Sequence, residues 1–68
     1  MRVKMVKNNL ITEYHLAEHT VFKQFTTVFD SGGAVSEDDM EKFNSQADAV
    51  QWIFDWTMAR LKTGWEIV

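Results

Sequence analysis

Residues Leu10 to Phe29 read Leu-Ile-Thr-Glu-Tyr-His-Leu-Ala-Glu-His-Thr-Val-Phe-Lys-Gln-Phe-Thr-Thr-Val-Phe, and the fold class turns on whether they coil or extend. Propensity favours strands, because Thr20, Val21, Thr26, Thr27 and Val28 are β-branched. Periodicity favours a helix. At about 100° per residue, Leu10, Ile11, Tyr14, Ala17, Val21, Phe22, Phe25, Val28 and Phe29 share one arc of about 140°. Thr12, His15, His19, Lys23, Thr26 and Thr27 take the other side, and only Leu16 and Glu18 break the pattern. A strand over 20–29 would put Val21, Phe25 and Phe29 on one face with Lys23 and Thr27, a poor alternation. Over a segment this long, pattern outweighs propensity, so a helix near 10–30 is expected.

The same reading extends outward. Gly32 suits a left-handed helix end after Phe29-Asp30-Ser31. Ser36-Glu37-Asp38-Asp39 reads as a serine cap with acids in the first turn, starting a short helix near 37–43 with Met40 and Phe43 on its apolar side. Asn44-Ser45 interrupts it, and Ser45 with Asp48 caps a further helix that runs to about Lys62 and ends at Gly64. Met1 to Val6 alternates as a short strand stopped by Asn8-Asn9, and Trp65 to Val68 reads as a terminal strand able to pair with residues 2–6. The expected fold is therefore α+β and mainly helical, with short N- and C-terminal strands flanking two or three helices. The alternative is a β-hairpin or meander packed on one C-terminal helix.

At 68 residues the chain is expected to form one domain. A domain of this size hides only roughly 60% of the surface its unfolded chain exposes. With no cysteine, its hydrophobic content of 46% and aromatic content of 13% must supply the stability, unless a partner contributes. A net charge of −3 argues against direct nucleic-acid binding. No apolar run suggests a signal peptide or a membrane span, so a cytoplasmic location is expected. Ser31-Gly32-Gly33 lacks a following Gly-Lys-Ser/Thr, which removes a P-loop. No nucleophile–base pair stands out; neither an enzyme nor a cofactor site is expected.

The helix after Ser45 carries the functional expectation. Asp48, Gln51, Asp55 and Lys62 form a narrow polar face. Trp52, Trp56, Ala49 and Ile53 make one apolar flank; Val50, Leu61, Phe54, Ala47 and Met58 make the other. Together they cover about 240°, more than twice the arc one buried face needs. Part of that surface should meet a protein partner or a second copy, with Trp52, Trp56, Phe54 and Met58 as the anchors. Size and composition fit a small inhibitor of the phage or mobile-element type. The alternative rests on Glu37, Asp38, Asp39 and Glu41, an acidic patch that could imitate a nucleic-acid backbone for a basic protein.

Two short likenesses add further expectations. His15-Leu16-Ala17-Glu18-His19 resembles the H-x-x-E-H spacing of inverted zinc metallopeptidases, which implies zinc on His15 and His19 with Glu18 as base. The chain is too short for that family's fold and shows no third ligand, so a histidine-based zinc site stands only as a further alternative. Phe22 to Phe25, Phe29-Asp30, Val35-Ser36 and Asp39-Met40 resemble the punctuation of an EF-hand. The loop is about two residues short of the calcium-binding length and lacks its acids, so the likeness implies helix–loop–helix and no calcium.

Overall fold

The computed structural model describes residues 1–68 and overturns the mainly helical expectation. In chain order the elements are β1 (Arg2–Lys7), β2 (Leu10–Ala17), β3 (Thr20–Val28), β4 (Ala34–Lys42), α1 (Gln46–Leu61) and β5 (Glu66–Ile67). The strands form one antiparallel sheet in the order β4-β3-β2-β1-β5. Four strands thus follow one another as a meander. One helix crosses a face of the sheet, and the chain returns to the free edge of β1. The alternative kept beside the helical reading lies nearer to this arrangement.

The helix expected over 10–30 is two strands joined at Glu18-His19. Both exceptions to the helical pattern were the signal. Leu16 is a core residue, and Glu18 turns the chain with a φ of 57°. Eight of the nine residues on the apparent apolar arc divide between the two faces of the sheet, and Phe29 lies beyond β3. Register places Leu10, Tyr14, Val21 and Phe25 on the helix side, and Ile11, Ala17, Phe22 and Val28 on the other. A sheet with apolar residues on both faces loses its period of two. Asn8, in the β1–β2 turn, also takes a positive φ, of 53°, which asparagine adopts at less cost than glutamate. Replacing Glu18 with asparagine should therefore stabilise the domain by up to about 1 kcal/mol, read from urea unfolding.

The helix expected over 37–43 is β4. A first-turn cap is worth only about 1 kcal/mol. Pairing along β3 instead satisfies a whole ladder and adds cross-strand bonds: Thr26 Oγ1 with Ser36 Oγ at 2.8 Å, Gln24 Nε2 to Asp38 at 3.1 Å, and Lys23 Nζ to Glu41 at 3.0 Å. The EF-hand likeness falls with these two helices, since the segment is strand–turn–strand.

α1 begins and ends where cap and glycine place it. Ser45 Oγ accepts from the Asp48 N–H at 3.1 Å, and Gly64 has a φ of 94°. Replacing Ser45 with alanine should lower stability by about 1 kcal/mol in the same measurement. Beyond Gly64, Ile67 pairs with Met5 and Glu66 with Val6. The pleat sets Met5, Thr12, Tyr14, Leu16 and Val21 beneath Ala49, Ile53 and Thr57, and these eight are the only buried residues. β4 contributes none of them, because the helix covers the sheet only as far as β3.

Candidate functional site

α1 turns three different faces outward and inward. Ala49, Ile53 and Thr57 point down into the sheet. Beside them Trp52, half-buried, meets Tyr14 edge-on with centroids 5.2 Å apart, Phe43 at 6.0 Å and Trp56 at 5.9 Å. Lys23 Nζ lies 4.6 Å from the Trp52 ring and is held by Glu41 at 3.0 Å and Asp39 at 3.8 Å. Trp52 is thus enclosed by its own chain on the side where contact with a partner was expected. Trp56 is half exposed at the rim of the same cluster.

The opposite flank is open. Phe54 is 58% exposed, and Val50, Met58 and Leu61 are exposed beside it. One-turn spacing stacks Val50, Phe54 and Met58 into a strip with no charged side chain. At its edge lies a hollow of about 190 Å³ walled by Met1, Val3, Val50, Ile53, Phe54 and Thr57. Of the four anchors expected, Phe54 and Met58 share this strip, while Trp52 and Trp56 lie on the other flank. Met1 and Val3 escaped sequence reasoning, because nothing local says that β1 runs beside this flank.

Arg60 escaped it too. Its Nε donates to the Tyr14 hydroxyl at 3.0 Å, and its guanidinium lies 4.6 Å from the Trp65 ring and 5.9 Å from Phe25. It fastens the end of α1 to β2, β3 and the last turn. A lone cation inside an otherwise apolar arc was the available sign of such a role.

The acids are divided by the pleat. Glu37, Asp39 and Glu41 lie on the helix side of β4, about 6.8 Å apart along the strand. Asp38 lies on the other side, against Gln24. Asp39 also accepts from the Met40 N–H at 2.8 Å. His15 sits exposed on β2, tilted against Phe22 at 6.3 Å, and His19 is in the turn, so the helical one-turn spacing behind the zinc likeness does not exist. No group of three or more His, Cys, Asp or Glu side chains is placed to hold a metal. No helix is long and apolar enough to cross a membrane. The chain matches no family model, no curated protein and no solved structure.

Proposed function

We propose that this chain is a non-enzymatic protein-interaction module, working in the cytoplasm as a small inhibitor or adaptor, and that the open flank of α1 is its contact surface. The observation that carries the reading is the charge-free strip Val50-Phe54-Met58-Leu61, exposed along one side of a well-capped helix. Single exposed apolar residues are ordinary; a contiguous row beside an apolar hollow is characteristic of a surface that meets another protein. The acidic-mimic reading is weaker, because Lys23 offsets one of the two charges on Asp39 and Glu41 and the pleat turns Asp38 away from them.

The test is a double substitution, Phe54→Glu with Met58→Glu. Both side chains are exposed, so circular dichroism and the unfolding midpoint should stay close to the parent's. The parent should either gain mass with concentration in sedimentation or retain a specific protein from extract, and the variant should do neither. A parent that stays monomeric at every concentration and retains nothing would end the proposal.

A further inference from the structure

β4 is the outer strand of the sheet, and its two halves are finished differently. Over residues 39–42 the chain closes its own edge. Lys23 holds Asp39 at 3.8 Å and Glu41 at 3.0 Å, and the Asp39 carboxylate accepts the outward-facing Met40 N–H at 2.8 Å. Over residues 34–38 nothing does the same. The backbone groups of Ala34, Ser36 and Asp38 point away from β3 and find no partner. Glu37 and Asp38 form no ion pair, and Asp38 meets only the neutral Gln24 amide. Val35 is exposed beside them. Acids by themselves describe a solvated edge; an unpaired ladder running through them describes a place for one more strand.

We infer that residues 34–38 receive a basic extended segment of a different protein, which adds to the sheet as a sixth, antiparallel strand. Three of its residues would exchange backbone bonds with Ala34, Ser36 and Asp38. Register then fixes which side chains it needs. In the order of the incoming chain, its residues face Asp38, Glu37, Ser36 and Val35. The first two are lysine or arginine, one on each side of the sheet, because Asp38 lies on the open side and Glu37 on the helix side. The fourth is β-branched and apolar, to pack against Val35. The chain's net charge of −3 draws a cationic segment and repels an acidic one. A second copy does not fit, since no two basic residues are adjacent in this chain. The surface lies on the opposite edge of the molecule's secondary structure from the α1 strip in chemistry as well as place: backbone and charge here, apolar side chains there.

The probe is the acetylated and amidated peptide Thr-Lys-Lys-Thr-Val-Thr-Thr, titrated into the full chain and followed by amide NMR shifts and hydrogen exchange. Two control peptides accompany it. One carries glutamate for both lysines. The other keeps the lysines but is N-methylated at the three residues that face Ala34, Ser36 and Asp38, so it has the charge without the ladder. The basic peptide should shift the amides of residues 34–38 saturably and slow the exchange of Ala34, Ser36 and Asp38. Both controls should bind at least about tenfold more weakly, and added salt should weaken the basic peptide. Glu37→Gln with Asp38→Asn keeps the shape of both side chains, so it should leave the unfolding midpoint unchanged and weaken the peptide about tenfold. Equal binding of the N-methylated peptide would reduce the edge to a charged surface and overturn the inference. No saturable shift with the basic peptide, or shifts centred away from β4, would overturn it as well. The two proposals fail separately: the peptide should bind the Phe54→Glu/Met58→Glu variant as it binds the parent, and a loss there would deny that β4 is a site of its own.

Discussion

Replacing Trp52 with alanine is expected to unfold the domain, whereas replacing Phe54 with alanine should leave it folded. Deleting a large packed aromatic costs about 3–5 kcal/mol. At roughly 0.05–0.15 kcal/mol per residue, a chain of this length has about 3–10 kcal/mol in total. Few other contacts can compensate, because only eight residues are buried. Trp52 is the residue through which Tyr14, Phe43 and Trp56 touch one another's neighbours, and its face also receives the Lys23 ammonium. Phe54 is more than half exposed and should cost under about 1 kcal/mol. Urea unfolding followed by circular dichroism separates the two. A Trp52→Ala protein within about 1 kcal/mol of the parent would show that the cluster is not what holds α1 to the sheet.

The second large effect is expected at the other end of the sheet. The Phe29 N–H donates to Gly33 and the Phe43 N–H to His19, which fixes the alternation along β4. Val35, Glu37, Asp39 and Glu41 bond inward to β3, and Ala34, Ser36, Asp38, Met40 and Lys42 turn their backbone groups to the open edge. Such an edge is a template for another strand. Antiparallel pairing of two copies centred on Asp38 would set Asp38 against Asp38 and Glu37 against Asp39, so like charges oppose it. Changing Glu37, Asp38 and Asp39 together to threonine removes that opposition and raises strand propensity, while Lys23 keeps Glu41. The variant should fold, then assemble with concentration, seen by light scattering. A triple variant as monomeric as the parent would mean that the acids do not guard the edge.

Those acids show why half of the fold was illegible. Ser36-Glu37-Asp38-Asp39 has the residues of a helix start, and nothing local distinguishes a cap from a guarded edge strand. The difference lies in β3, where Gln24 and Lys23 meet Asp38 and Glu41. In residues 10–29 the β-branched run at Thr20, Val21, Thr26, Thr27 and Val28 was the sounder guide. Leu16, discarded as an exception, marks the buried row of β2. α1 was legible because its signals are local: a serine that bonds three residues on, an apolar period and a terminating glycine. The excess apolar arc was legible as well. Which flank the sheet would take was not, since that depends on the side of the meander on which the chain crosses over.

The pairing of β5 with β1 bears on how the chain folds in time. β1 to β4 meet through two-residue turns and one short loop, so their contacts form between near neighbours in sequence. β5 waits for everything else, because Ile67 finds Met5, and the Val68 N–H finds Lys4 at 2.9 Å, only after α1 has crossed the sheet. Closing so long a loop contributes slowly to the folding rate and little to the nucleus. The two ends should therefore zip last and open first, as a two-residue latch whose amides exchange with solvent ahead of those in the meander.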